Sequence, residues 1–434
     1  SSAYEKESSK TLLSLTPYVR QNTMEYIANW SLSYDPTRLK TESDSVGLLA
    51  KYRMDFDANR TRLIIGADID YTPGNRIEHS IDAVRNVDRI YESYTVDEKI
   101  YDYDVTYQGI SPYVHVETSP LDKLRITAGL RYDNMTYDYE DNMPGAPVDY
   151  TVNIHGVDST KTYNRPGDAK VDFSHLSPKL GATYSFTDRF NGFVSYRHAF
   201  RAPSEGQIFR PGANAASLNL DAVKVNSYEV GVRGEPDQDL NYEVSLYYMS
   251  KKDDLVSYDD GAGNTYAVNA GETLHKGIEL GMNSKITQDL SVGMSYSRSS
   301  HTYEDWVVSG TDFSGNDIES APDALANVRI NYRPAVLKGG RAELEWVHMG
   351  EYLMDQANSV DPVNTTIYDG HNLLNVRINY FVDKNFELFA RLLNAGDERY
   401  ATASKYTPAG WGPAKSEFAP GMPRTVYAGV EYKF

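Results

Sequence analysis

From Val46 onward the chain alternates. Val46, Leu48, Ala50, Tyr52, Met54 and Phe56 stand against Lys51, Arg53 and Asp55; Leu63, Ile65, Ala67, Ile69 and Tyr71 stand against Arg62, Gly66, Asp68 and Asp70. The period returns with Leu124, Ile126, Ala128, Leu130 and Tyr132, with Leu240 to Tyr248, with Leu290 to Tyr296 and with Leu374 to Tyr380. It holds to the last strand, where Val426, Ala428, Val430, Tyr432 and Phe434 oppose Tyr427, Gly429, Glu431 and Lys433. Side chains with a period of two project from opposite faces of a strand, so each segment predicts a strand with one apolar and one polar face. Roughly 16 such segments, each about 9 to 14 residues long, follow one another with no helical pattern between them.

Segment length decides the class. Strands of soluble domains run about 5 to 6 residues, whereas a tilted strand crossing a bilayer needs about 9 to 11. Tyr71, Tyr132, Tyr332, Tyr380 and Tyr432 sit near the ends of apolar faces, as an aromatic girdle at the membrane–water boundary requires. The connections also alternate. Residues 55–61, 118–123, 186–189, 234–239, 285–289, 334–340 and 381–385 are short and rich in turn formers; 72–104, 136–172, 202–224, 299–324, 351–369 and 399–421 are long, polar and aromatic, with a short member at 258–264. This asymmetry predicts an all-β, antiparallel, up-and-down transmembrane barrel forming one domain over 1–434, with periplasmic turns and extracellular loops. Arg, Lys, Asp and Glu on the polar faces then line a wet lumen. A soluble β-sandwich or propeller is the alternative, but it has shorter strands or a blade repeat that is missing here.

Composition narrows the partners. Mean hydropathy is −0.54 and no apolar run of membrane-helix length occurs in the 434 residues, which leaves a strand-built membrane protein open. A net charge of −18 argues against nucleic acid. Without cysteine there are neither disulfides nor thiolate metal sites. No signal peptide stands at Ser1, so either one has been removed or the chain is an internal piece of a longer protein.

Enzymatic chemistry has no foothold. The nine histidines are scattered without metal-ligand spacing, and neither a cofactor nor a metal is expected. "DDGAGN" (259–264) is closer to an Asp/Gly hairpin turn than to a calcium loop. The loops are more informative. Residues 89–109 and 132–150 interleave Tyr with Asp and Glu, which reads as acidic solvated surface or as a ligand vestibule. In the second reading Tyr101, Tyr103, Tyr137 and Tyr139 offer stacking area and hydroxyls. Arg210 and Gln207 in the 202–224 loop, with Arg201 at its base, are candidates for an anionic chelate; the plainer reading of these cations is a lumen charge matched by a neighbouring strand.

Several stretches resemble the C-terminal part of TonB-dependent outer-membrane receptors. They are "YRHAFRAPSEGQIF" (196–209), "SYEVGVRGE" (227–235), "HKGIELGM" (275–282), "LLNAGDERYATA" (392–403) and the terminal "VYAGVEYKF" (426–434), in the family's order. Residues before Tyr196 fit by strand pattern alone. The resemblance implies a Gram-negative outer-membrane barrel of about 22 strands with an N-terminal plug inside it, so this chain is expected to hold the C-terminal strands, with plug and first strands elsewhere. It further implies active uptake of a scarce nutrient, above all a ferric siderophore, by a monomer. The implied partners are the inner-membrane TonB complex acting through the plug, outer-membrane lipid and lipopolysaccharide, and the barrel-assembly machinery, which reads a terminal aromatic such as Phe434. A passive 16-stranded porin is the competing reading. Haem, cobalamin or another metal chelate are alternative cargoes. The haem subgroup's histidine has no counterpart, since none lies between Arg201 and Asp221.

Overall fold

Each alternating segment pairs with the next, and together they make one continuous antiparallel wall. The computed structural model describes residues 3–27, 37–87, 91–143, 145, 147–154, 157–211, 217–259, 265–269, 271–308, 311–410 and 412–434. Most of the 259–264 turn therefore lies outside the described residues.

The wall contains 17 strands. They are β1 (Tyr4–Glu7), β2 (Thr11–Ile27), β3 (Thr37–Phe56), β4 (Thr61–Arg85), β5 (Tyr91–Leu121), β6 (Leu124–Asp141), β7 (Ala169–Thr187), β8 (Phe190–Arg201) and β9 (Val223–Gly234). The series continues with β10 (Leu240–Lys252), β11 (Glu272–Lys285), β12 (Leu290–Asp305), β13 (Ala324–Tyr332), β14 (Gly340–Met349), β15 (His371–Phe381), β16 (Phe386–Leu393) and β17 (Thr425–Tyr432). Every strand pairs antiparallel with its sequence neighbours; among the described residues β1 and β17 are the two edges. The one described α-helix is α1 (Glu205–Phe209).

The short turns close the hairpins at one end, as expected from their composition. The apolar faces point away from the lumen and stay open: Ile65, Ile69, Val114, Leu130, Leu180, Val194 and Val230 are all exposed. That is the face a bilayer covers. The opposite face is charged and internally matched. Arg53 meets Glu7 and Asp55 at 3.1 Å each, Arg62 meets Asp55 at 2.8 Å, and Arg377 meets Glu345 at 2.8 Å. Lumen-facing rings also lie flat over glycines of the adjacent strand. A Cβ on Gly231 would come within 2.6 Å of the Phe193 ring, and one on Gly429 within 2.6 Å of Phe389. Such ring-over-glycine pairs restore the packing that a strand glycine forfeits.

Two stretches expected to be loops are largely strand. Within 72–104, β4 runs to Arg85 and β5 begins at Tyr91; within 136–172, β6 runs to Asp141 and β7 begins at Ala169. The register of β5 on β6 is unbroken from Tyr113↔Arg131 to Tyr103↔Asp141. What changes is the polarity of the faces. Below Tyr71 and Tyr132 the outward face is apolar and the lumen face polar. Above them Asp104, Asp138 and Glu140 point outward and are exposed, while Tyr103, Val105, Tyr137 and Tyr139 point inward. The lipid ends at the tyrosines, so the outward face meets water there and the apolar side chains move to the inside.

Candidate ligand site

The inward face of this extended wall carries the candidate site. Arg76 and Glu78 of β4 lie directly opposite Tyr103 and Tyr101 of β5, and Val105 of β5 lies opposite Tyr139 of β6. Tyr101, Tyr103 and Tyr139 are no more than 1% exposed and form one cluster with Ile100, Ile208 and Phe209. The last two come from α1, so the loop after β8 folds back onto the wall.

Local chemistry makes that return possible. Ser204 and Gln207 form a capping box: the Ser204 backbone N–H donates to Gln207 Oε1 at 2.9 Å and its hydroxyl does so at 3.0 Å. The box starts a helix only five residues long, too short to persist without packing. Packing is supplied by Phe209, whose ring stacks on Tyr139 with centroids 4.5 Å apart and planes 15° apart. Tyr137 meets Phe209 edge-on at 6.3 Å, and the Tyr103 hydroxyl donates to the Glu205 carboxylate. Burying one such ring contributes about 1.5–3 kcal/mol.

Charge is concentrated beside the rings. Arg76 donates to Glu78 at 3.0 Å, and Arg210 lies 3.7 Å from the same carboxylate. Burial works against the Arg210 charge, yet Glu78 and, after it, Glu205 hold its pKa above the ordinary value. Burial, then Glu205, pushes the Tyr103 phenol up, so that it stays a neutral donor. The Nε atoms of Arg76 and Arg210 and the Tyr139 hydroxyl are buried with no hydrogen-bond partner. Unmet donors of this kind cost free energy unless something accepts from them.

The seven residues singled out from sequence thus have different fates. Tyr101, Tyr103, Tyr137, Tyr139 and Arg210 come together in the cluster. Gln207 lies next to it but uses its amide oxygen in the cap. Arg201 stands apart, with its side chain 62% exposed and 3.9 Å from Asp254. The rings are not open stacking faces, because Phe209 and α1 already cover them. Arg76, Glu78, Glu205 and Phe209 were not anticipated. The first two would follow from extending the strand alternation past Tyr71, and the cap could be read from Ser204 and Gln207.

A second block stands at the same end of the strands. Three loops, 299–324, 351–369 and 399–421, are knitted together. Trp306 Nε1 donates to Gln356 at 3.1 Å, the Asp317 N–H donates to Asn358 at 2.9 Å, and the Tyr406 hydroxyl donates to Asp361 at 2.8 Å. Tyr352, Met354, Tyr368, Ala401 and Tyr406 make its core.

The profile of the "TonB dependent receptor-like, beta-barrel" family matches residues 3–395. This chain belongs to that family. TonB-dependent receptors of this kind reside in the outer membrane, and the family consists of receptors and transporters. The match covers the N-terminal strands, which sequence motifs had not reached, and it removes the porin alternative. Among curated relatives, the probable TonB-dependent siderophore receptor PiuA of Acinetobacter baumannii is 26% identical over 319 residues, 69% of this chain and 38% of PiuA. The ferrioxamine receptor of Yersinia enterocolitica is 26% identical over 275 residues, 60% of this chain and 36% of the receptor. The aligned part therefore spans well under half the length of these relatives. Among solved structures, PiuA superimposes with a TM-score of 0.73 at 16% identity, covering 99% of this chain and 63% of PiuA. The ferric citrate transporter FecA gives 0.73 at 18% identity, covering 100% and 60%. At such identities these structures speak for the fold.

Proposed function

We propose that the chain is the barrel portion of a TonB-dependent receptor that captures a ferric siderophore outside the cell for active import. The observation that carries this reading is the Arg76–Arg210 pair, buried at Arg76 and half-buried at Arg210, with unmet Nε donors, beside the tyrosines. A ferric chelate with carboxylate, hydroxamate or catecholate oxygens supplies the missing acceptors. Siderophore-receptor names among the relatives point the same way.

In this reading no covalent bond is made or broken and no resident cofactor takes part. Arg76 and Arg210 attract and orient the anionic chelate, α1 backs the arginines by packing on the wall, and the second loop block stands at the same end of the strands. The plug, contributed by sequence outside this chain, passes on energy from the TonB complex. The experiment is fluorescence quenching of the full-length receptor by a panel of ferric siderophores, alongside the metal-free forms. Saturable quenching by at least one ferric form supports the reading. Absence of saturable quenching by the whole panel, with haem or cobalamin binding instead, replaces it.

A further inference from the structure

We propose that His275 and His301 form a two-imidazole clamp for a divalent transition-metal ion on the lumen wall. The clamp is separate from the arginine–tyrosine site and does not rest on the siderophore reading.

The two histidines are direct cross-strand partners on β11 and β12. Ile278, Leu280 and Met282 occupy the apolar face of β11, which places His275 on the lumen face with Glu279. Tyr296 and Met294 place His301 likewise. Their Nδ1 atoms are 2.7 Å apart. Each Nε2 is engaged by a hydroxyl two residues away on its own strand: Thr273 Oγ1 at 3.1 Å from His275, and Ser299 Oγ at 2.9 Å from His301. A hydroxyl can accept an Nε2–H or donate to a bare Nε2, so either ring can present its Nδ1 as a lone pair. In the metal-free pair one hydroxyl donates and the rings share an Nδ1–H···Nδ1 hydrogen bond. A metal ion that replaces this bond forms two N–metal bonds; the Nδ1 proton moves to the Nε2 of the same ring, whose hydroxyl turns to accept it, so the pair loses no proton.

The geometry needs little adjustment. Imidazole nitrogens bind such ions at about 2.0–2.1 Å, and at the right angle of a tetragonal copper(II) or nickel(II) site two of them are about 2.9 Å apart. Outer hydrogen bonds to the distal ring nitrogens are what usually orient metal-binding histidines, and both rings stand on paired strands rather than on loops. Lys251, whose charge acts on His275, is tied to Asp254 at 2.5 Å. Among the described residues no set of three carboxylate, imidazole or thiolate ligands converges, so the clamp is open. Its remaining positions belong to water, the ion exchanges, and copper(II) is the tightest occupant on general grounds. The other close pair, His175 and His198, serves as the internal contrast. Their Nε2 atoms are 2.8 Å apart, but His198 Nδ1 is engaged by Asn226 Oδ1 at 2.8 Å. That amide oxygen takes an Nδ1–H, so the ring offers Nε2 as acceptor and His175 donates to it; the tautomer of His198 is fixed by a group that cannot turn from acceptor to donor at the same atom, whereas the hydroxyls beside His275 and His301 can.

The test is Cu2+ titration of the full-length receptor in detergent, with glycine present to compete for weak sites, read by paramagnetic resonance. The expected result is one equivalent of copper with a hyperfine pattern from two nitrogens. His275→Gln and His301→Gln should each weaken it at least tenfold and leave a one-nitrogen pattern, while His198→Gln changes neither. Heat-modifiable migration identifies folded barrels, and only folded protein is compared. No glycine-resistant copper in the parent protein, or an unchanged affinity and spectrum in both Gln variants, overturns the proposal.

Discussion

The ring of Phe209 lies on the ring of Tyr139 at 4.5 Å and 15°, and through that contact a loop becomes part of the wall. Phe209→Ala removes it. Phe-to-Ala changes in packed interiors cost about 3–5 kcal/mol, more than a five-residue helix regains by itself. Residues 204–211 should therefore lose hydrogen-exchange protection while the barrel keeps its heat-modifiable migration. Unchanged protection of that segment would show that α1 is held by something other than the ring.

Arg210 and Arg201 were equivalent candidates in the sequence but are not in the structure. Arg210→Gln should weaken a ferric ligand at least tenfold, in line with about 1.5–3 kcal/mol for a hydrogen bond to a charged group. Arg201→Gln, altering an exposed side chain outside the cluster, should shift affinity less than about twofold. Titration of both variants with the same ligand makes the comparison; the reverse ranking would move the site toward Asp254.

The swap of polar and apolar faces on β5 gives a test within one strand. Val114 and Thr106 both point outward, the first below the level of Tyr71 and the second above it. Val114→Arg should cost about 2–4 kcal/mol in folding into bilayers, and Thr106→Arg about 0–1. Equal costs in a urea-titrated liposome assay would mean that lipid reaches Thr106.

Acid should loosen the second loop block. Backbone N–H groups of Asn364 and Val363, the Asn364 amide and the Tyr406 hydroxyl hold the Asp361 carboxyl well below the usual carboxylate range. A carboxyl lowered by the fold binds its proton more readily when released. Its stabilisation is thus present above the ordinary value of about 3.9 and is lost as pH falls below it. The chain has no cysteine, so a spin label on Val363→Cys is unique within it. It should be less mobile near neutrality than below about pH 2, and Asp361→Asn should raise its mobility already near neutrality. Equal mobility at both values would sever the carboxyl from the order of the loop.

The membrane strands were legible because bilayer and lumen impose opposite demands on alternate residues, as Leu130 and Arg131 show. The turns were legible because the short connections at one end are built from Asp, Gly, Pro and Asn. The upper parts of β4, β5 and β6 were not. There the alternation persists, but Asp104 and Asp138 take the outer face, and Tyr103 and Tyr139 look like loop aromatics unless the strand phase is carried past Tyr71 and Tyr132. Arg76 and Glu78 were hidden for the same reason. Phe209 was hidden because α1 spans too few residues to show a helical period, although Ser204 and Gln207 announced its start. The pairing of Arg210 with Glu78 joins residues far apart in the chain, and no local pattern encodes it.

Radio-iron uptake tests the central claim most directly. Iron-starved cells with a chromosomal deletion of the full-length gene should fail to accumulate iron from a ferric siderophore that the purified receptor binds. The parent gene should restore uptake only while the TonB complex is energised, and the Arg76→Gln, Arg210→Gln double variant should restore little. Undiminished uptake in the deletion strain, or restored uptake that persists after the TonB complex is removed, would contradict the account.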